Sequence, residues 1–426
     1  MSLIPPRVIR MLEMLRSRLA DTDFGAKLDQ YKSGERVPRL RVRKKADAGS
    51  VAEIWTRLRK DSGADSETQA EIADPASVER AGFYSRNIEN YIGTVKVPVG
   101  VVGPLRVNGI DAQGDYFIPL ATTEAALVAS YARGADIVSR VGGISAATIA
   151  EGVLRTPAFV FGNMVEAGLF INWIAENAEK LKQVAQSSTR FGRLVSIEPY
   201  MDSEIVFLMC RYTTGDAAGQ NMVTVATDLM CAFIDENTPV RPQHWFVEAN
   251  FSGDKKASYL GLQTGRGRKV TASVTVPNDI IRRFLHAEPE EMLAYGRVAG
   301  LGSILSGQLG AQAHYSNALA ALYIATGQDA ACVAESAVGF TRMEARGDAI
   351  YFAATLPNIL VGSVGGGTGL PSQQAGLKMM GLAGAGKAAA LAEVTAALCL
   401  CGEISIIGAM AAGHFTRAHE KLARQR

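Results

Sequence analysis

The chain has 426 residues, 48% hydrophobic and 20% charged, which permits a large buried core and excludes global disorder. Its length suggests two or three domains, or one large domain carrying an insertion. Forty-four Lys and Arg against 42 Asp and Glu leave a formal net charge of +2, so there is no general basic field for nucleic acid and no acidic tail.

Taken in chain order, residues 1–90 are the most polar part. Val8, Ile9, Met11, Leu12, Leu15 and Leu19 recur at helical spacing with arginines between them, which predicts an amphipathic helix packed on the protein rather than on a membrane surface. Arg7, Arg10, Arg16 and Arg18 rule out a signal-peptide pattern. From Glu89 onward Gly, Val and Ala rise. A helix at Met164–Leu181, strands at Val195–Pro199 and Ile205–Tyr212 and a helix at Asn221–Phe233 suggest a compact α+β unit within 156–245. After Asn250 the chain reads as mostly helical and Ala/Gly-rich. No uninterrupted apolar stretch approaches the roughly 18 residues of a membrane span, so no membrane partner is expected. Five cysteines (Cys210, Cys231, Cys332, Cys399, Cys401) without a CxxC pair point to a reducing cytoplasm.

Two patterns mislead. Gly381-Leu-Ala-Gly-Ala-Gly386-Lys387 has P-loop spacing, but Ala388 stands where a magnesium-holding Ser or Thr is required; the segment reads as small-residue helix packing. His414 and His419 are five apart, about 140° around a helix, so no shared metal site is expected. No GxGxxG follows a strand, which disfavours an ordinary Rossmann dehydrogenase.

Other segments carry more chemistry. Ala121-Thr122-Thr123-Glu124 precedes an apolar run, so Thr122 or Thr123 could cap a helix whose first turn holds Glu124, either as a capping carboxylate or as a reacting one. Asp254-Lys255-Lys256 on a Gly-bent loop reads as a solvated turn or as a clamp for a developing oxyanion. Asn317 and Asp329 bracket an apolar helix ended by Gly327. Gly215-Asp216-Ala217-Ala218-Gly219-Gln220-Asn221 joins a strand to a helix N-terminus, a geometry for anions, and Gly365-Gly366-Gly367-Thr368 could lie against a planar ligand.

Taken in chain order, and together with Glu89-Asn-Tyr-Ile-Gly93, Val97-Pro-Val-Gly-Val-Val-Gly-Pro104 and Gly413-His414, these segments resemble the hydroxymethylglutaryl-CoA reductase family from about residue 85 to 420, in its eukaryotic and archaeal class but without a membrane anchor. The resemblance implies NADPH-dependent, four-electron reduction of a CoA thioester to a primary alcohol through hemithioacetal and aldehyde intermediates, in isoprenoid biosynthesis by way of mevalonate. It implies Lys255 as the cation on the carbonyl oxygen, Glu124 as proton donor, Asp329 as the link between them, and His419 as the donor to departing CoA thiolate. An imidazole of pKa about 6.5 is a competent donor to a thiolate whose acid has a pKa of about 8.5. Arg190, Asp216, Gly219, Asn221, Gly365, Gly366 and Gly367 match the NADP-binding positions, and Arg190 would meet the 2′-phosphate. Arg155, Lys256, Arg297, His314 and Asn317 match the substrate side.

The implied fold class is α+β: a small helical N-terminal domain (1–88), then a large CoA-substrate domain (89–155 and 246–426) around a long central helix, interrupted by a small ferredoxin-like cofactor domain (156–245). A homodimer or a dimer of dimers with shared active sites is implied. The chain departs from the family where Glu248 replaces a serine that faces the substrate's free carboxylate, where Arg297 replaces a lysine, and where the dinucleotide turn reads Asp216-Ala-Ala-Gly-Gln220 instead of carrying the family's methionines. Glu248 leaves room for a different acyl-CoA as substrate, and a non-catalytic binding homologue is a third reading.

Overall fold

A computed structural model of the chain describes residues 5–20, 40–43 and 45–413, with isolated positions at 23, 26 and 29. The chain divides into two compact units, Met1–Gly93 and Thr94–Arg426.

The first unit is helical: α1 (Pro6–Ala20), α2 (Ala48–Asp61), α3 (Ser66–Ile72), α4 (Pro75–Glu79) and α5 (Ala81–Tyr84). Aspartates start three of these helices. The side chains of Asp47, Asp65 and Asp74 accept backbone N–H groups that have no partner inside the helix. Trp55 is buried and its Nε1 donates to Ile92 O at 2.8 Å, while Tyr84 stacks on Tyr91. These contacts carry the unit five residues past the expected boundary at 88. Helix α1 forms as its periodicity predicts, but Met11, Met14 and Leu15 are exposed rather than packed.

The second unit is built on a mixed sheet. Strand β1 (Val99–Gly109) pairs antiparallel with β2 (Gln113–Ala121); helix α6 (Leu127–Arg140) leads to β3 (Ile144–Arg155). Residues 145–152 of β3 pair with β8 (Gly267–Pro277), and residues 153–155 pair with β6 (Ile205–Thr213), so one strand serves two layers. The smaller layer runs β4 (Ala158–Val160), α7 (Met164–Glu176), α8 (Ala178–Ser187), β5 (Arg193–Asp202), β6, α9 (Gln220–Asn237) and β7 (His244–Phe246), with strand order β5-β6-β4-β7, antiparallel throughout. Where one helix was expected over 164–181, Asn177 splits it: its side-chain amide donates to Trp173 O and ends α7.

The remainder comprises α10 (Tyr259–Thr264), β8, α11 (Pro289–Ser306), β9 (Gly310–Ala311), α12 (Tyr315–Thr326), α13 (Val333–Ser336), β10 (Gly339–Ala345), β11 (Ala349–Ile359), α14 (Pro371–Met379) and α15 (Ala388–Ala411). The expectation of a mostly helical segment is corrected by β8, β10 and β11. In β8 the buried residues Val270, Ala272, Val274 and Val276 alternate with period two, the signature of a strand. Helix α15 is long and apolar enough to cross a membrane by length and composition, but nearly every residue of it is buried among α6, α11, α12 and the sheet. It is a core helix.

Candidate active site

Three loops from different elements meet. The first leaves β6 and opens α9: Thr214 Oγ1 donates to Ala217 O at 2.8 Å, and Gly219 takes φ 78°. A Cβ at Gly219 would lie 2.2 Å from Thr214 Cγ2, so the turn requires glycine. The second follows α12, where Gly327 ends the helix at φ 72° and leads to Gln328 and Asp329. The third, residues 362–369, leaves β11. Backbone packs on backbone: a Cβ on Gly327 would sit 2.3 Å from Gly367 O, and one on Gly362 would sit 2.6 Å from Ala218 N. Gln328 ties the second loop to the third, accepting from Gly362 N at 2.8 Å and donating to Gly362 O at 3.0 Å. The loops enclose a cleft of about 400 Å³ lined by Gly219, Asn221, Asp329 and Gly365–Gly367 among others.

The start of α9 bears no side-chain cap, so its first N–H groups and the helix dipole face the cleft, a setting for an anion. Arg190 is exposed on the 188–192 turn, which Thr189 Oγ1 ties to α9 through Met222 Sδ at 2.8 Å. Around Gly365 and Gly366 an added Cβ would meet nothing within 4 Å, leaving room for a flat ligand. Asp216 is otherwise occupied. Its carboxylate accepts from Gly386 N at 2.7 Å and Ala388 N at 3.2 Å. Burial alone would raise its pKa, but these amides and that of Lys387 lower it. Asp216 therefore caps α15 instead of reaching into the cleft. Residues 381–387, expected as helix packing, form the loop that receives it.

Lys255 lies at the edge of this cleft. Its loop is tightly wound, with Asn250, Gly253 and Lys255 all at positive φ (66°, 70° and 57°). Lys255 Nζ is 2.8 Å from Asp329 Oδ2. The hydrogen bond to Asp329 is the main reason the lysine's pKa is raised, which favours its ammonium form. For Asp329, burial pushes upward, but Lys255, Ala331 N–H and Gln220 together bring the net value below the ordinary one. Lys256 is exposed, with Nζ donating to Asp254 O at 3.0 Å.

Glu124 does not sit in a helix first turn as expected. Thr122 Oγ1 accepts from Glu124 N at 3.0 Å, and α6 starts only after Ala126, at φ 69°. The exposed Glu124 carboxylate accepts from Asn317 Nδ2 at 3.4 Å, so Glu124 and Asn317 are brought together. The described hydrogen bonds thus pair Glu124 with Asn317 and Asp329 with Lys255, without a direct bond between the two carboxylates.

Two substrate-side candidates have protein partners of their own. Arg155 is 5% exposed, and its Nη1 is shared between Glu248 Oε2 at 3.1 Å and Asp254 Oδ2 at 3.2 Å. His314 stacks on Tyr131, and its Nδ1 lies 3.2 Å from Glu403 Oε1, fixing the ring at the start of α12. Arg297 is exposed on α11. His419 and His414 lie outside the described residues.

The residues missed in the sequence lie behind the lysine. Arg266 is 1% exposed; its Nη1 donates to both oxygens of buried Glu335 at 2.8 and 2.7 Å, and its Nη2 lies 3.0 Å from Asp254 Oδ1. Glu335 Oε1 also accepts from Lys255 N at 3.2 Å. The one available signal was Gly265-Arg266-Gly267, since both glycines take positive φ to bury the arginine. Among the described residues, no cluster of three His, Cys, Asp or Glu could hold a metal.

The cleft of glycine loops thus combines an uncapped helix start, a setting for an anion, with a lysine–aspartate pair at its edge. Residues 51–424 match the family model described as hydroxymethylglutaryl-coenzyme A reductase. The 3-hydroxy-3-methylglutaryl-coenzyme A reductase of Aeropyrum pernix is 42% identical over 348 residues, 80% of this chain and 83% of that protein. The protein of the same name from Haloferax volcanii is 36% identical over 411 residues, 95% and 100% of the two chains. The class II 3-hydroxy-3-methylglutaryl-CoA reductase from Streptococcus pneumoniae, solved bound to NADPH in open conformations, shares the fold at TM-score 0.62 and 18% identity, covering 86% of this chain and 98% of that one. The chain belongs to the hydroxymethylglutaryl-coenzyme A reductase family of oxidoreductases.

Proposed function

We propose that this protein carries out the NADPH-dependent, four-electron reduction of 3-hydroxy-3-methylglutaryl-CoA to mevalonate and free CoA. The observation that carries the reading is the Lys255–Asp329 pair at the edge of the glycine-loop cleft. The residues present fit a dinucleotide: an uncapped helix start for the diphosphate, open glycines at 365–366 for a flat ring, and exposed Arg190 for a 2′-phosphate. Gly219, Asn221 and Gly365–Gly367 would hold it. When bound, NADPH supplies hydride to the acyl carbon.

The chain's own groups handle charge and protons. Lys255, held protonated by Asp329, stabilises the oxygen that gains negative charge as the thioester carbonyl becomes tetrahedral. Glu124, oriented by Asn317, delivers the proton to the aldehyde oxygen in the second reduction. His419 protonates the departing thiolate, and Lys256 and Arg297 offer cations to the substrate's anionic groups. The antiparallel order β5-β6-β4-β7, with helices in both crossovers, supports a ferredoxin-like cofactor domain at 156–245. The exposed Val298, Leu301, Ile304 and Leu305 on α11 support a homodimer or dimer of dimers. Five buried free cysteines suit a reducing cytoplasm.

The test is NADPH oxidation by purified protein with hydroxymethylglutaryl-CoA, NADH serving as control. Two equivalents consumed per mevalonate, abolished in Lys255→Ala, support the reading; tight NADPH binding without turnover refutes it for this substrate. The Glu248–Arg155 pair favours a second reading, reduction of an acyl-CoA without a distal carboxylate, because Glu248 already occupies the nearby guanidinium. A panel of such thioesters decides between the two.

A further inference from the structure

We infer that Gln220 is a positioning residue for Lys255, coupling the helix start that lines the cleft to the charge that stabilises the oxyanion. The inference rests on the thioester-reductase reading and adds a residue to it. Gln220 is the first residue of α9 and lines the cleft. Its Nε2 donates to Asp329 Oδ2 at 3.3 Å, the same oxygen that Lys255 Nζ approaches at 2.8 Å. The other oxygen, Oδ1, accepts from Ala331 N at 3.0 Å. Asp329 is thereby fixed from three sides. Gln220 Oε1 in turn accepts from Arg266 Nη2 at 3.4 Å. Arg266 grips Glu335, and Glu335 Oε1 accepts the backbone N–H of Lys255.

The result is a closed circuit: ammonium, aspartate, glutamine amide, guanidinium, glutamate, and back to the amide of the same lysine. An amide is the side chain suited to its place. It donates toward the carboxylate through its nitrogen and accepts from the guanidinium through its oxygen, which a thioether, having no N–H or O–H to give, cannot do. Any shift of α9 as the cleft fills must move Gln220, and Gln220 moves Asp329 and Lys255 with it. The charged and titratable groups around Asp329 are Lys255, Arg266, Asp254, Glu335 and Cys332.

Two variants separate positioning from folding. Gln220→Met keeps the length of the side chain and removes both polar functions. Gln220→Glu keeps an acceptor for Arg266, removes the N–H that Gln220 gives to Asp329 and to Cys332 Sγ, and sets a second carboxylate beside Asp329. With the N–H gone, Asp329 binds its proton more readily and holds Lys255 less firmly. In both variants kcat for the thioester is expected to fall about five- to tenfold, with KM within about twofold, and the acid limb of the kcat profile should move to higher pH. Independently of turnover, Lys255 should be acylated severalfold faster than in the parent at mildly alkaline pH, measured by mass spectrometry against exposed Lys180. The thermal midpoint of Gln220→Glu should stay near that of the parent. Parent-like pH profile and Lys255 labelling in both variants would overturn the inference while leaving the reductase reading intact. If the unmodified protein reduces no thioester, the reading fails, and the labelling rates alone decide the role of Gln220.

Discussion

Replacing Lys255 with Met should separate catalysis from stability. The ammonium and the Asp329 carboxylate are 43% and 39% exposed, so although they lie 2.8 Å apart, water screens much of their attraction. Pairs of this kind contribute about 0–1 kcal/mol to folding. A fixed donor at a developing oxyanion is worth about 2.7–4 kcal/mol, so turnover should fall about a hundred- to a thousandfold. The loss should carry a pH signature. The folded pKa of Asp329 is lowered, so the ionised form stabilises the fold above the unfolded pKa, and that contribution is lost as pH falls through the folded value. Without Lys255, burial is opposed only by Ala331 N–H and Gln220, and the folded pKa of Asp329 rises. The small stability deficit should therefore be present at neutral pH and vanish only once the pH has fallen below the lowered folded pKa of Asp329, where the carboxylate is protonated in both proteins. Urea unfolding at the two pH values, beside thioester turnover, measures both. Parent-like turnover, or a stability loss above about 2 kcal/mol at neutral pH, would refute the assignment of Lys255 to the reacting carbonyl.

Glu403→Ala should cost about 3 kcal/mol or more in thermal unfolding, because it strips partners from Ala313 N, His314 N and Thr341 Oγ1 in a fully buried site. Asp216→Ala should lower stability by about 1–2 kcal/mol, as other helix-cap losses do, with calorimetry as the measure. Gly219→Ala drives a Cβ into Thr214 and should weaken NADPH binding measured by fluorescence titration more than it weakens binding of the CoA thioester. Glu248→Ser leaves Arg155 with Asp254 alone and should raise kcat/KM for hydroxymethylglutaryl-CoA about tenfold relative to an acyl-CoA without a second carboxylate. An unchanged ratio would show that no substrate carboxylate comes near Glu248.

What the sequence shows of this site is what is encoded locally. Glycines at 219, 327, 365 and 366 mark turns whose backbone conformations they themselves permit, and Asp254-Lys255-Lys256 is a charge cluster on a bent loop. What it hides depends on partners distant in the chain. Asp216 resembles a ligand of the cleft until Gly386 and Ala388, some 170 residues away, are found on its carboxylate. Arg155 looks free for a substrate until Glu248 and Asp254 arrive beside it. Glu124 was misplaced for a local reason: a threonine hydroxyl two residues earlier can cap a helix or close a turn, and here Thr122 closes the turn. The strands after residue 250 were masked by Ala/Gly content, although the alternation in β8 was present.

The two glutamates of α15 show how a core helix can govern a site it never lines. Glu393 and Glu403 are both fully buried, and both are satisfied chiefly by backbone N–H groups. Glu393 accepts from Asp111 N, Ala112 N and Thr148 N, which fixes the β1–β2 turn; a Cβ on Gly109 would come within 2.2 Å of its Oε2. Glu403 accepts from Ala313 N and His314 N immediately before α12, where a negative charge also meets the positive end of that helix dipole. Ten residues apart, the two carboxylates are about 15 Å apart along the axis and about 80° apart around it. Turning α15 by one residue would thrust both into apolar surroundings, so the pair fixes the helix in rotation as well as in depth. Helix α12 inherits that register. It carries Asn317, which holds Glu124, and ends at Gly327 just before Asp329, which holds Lys255. Two carboxyl groups in an otherwise apolar helix therefore set the spacing between Glu124 and Lys255 without touching either one.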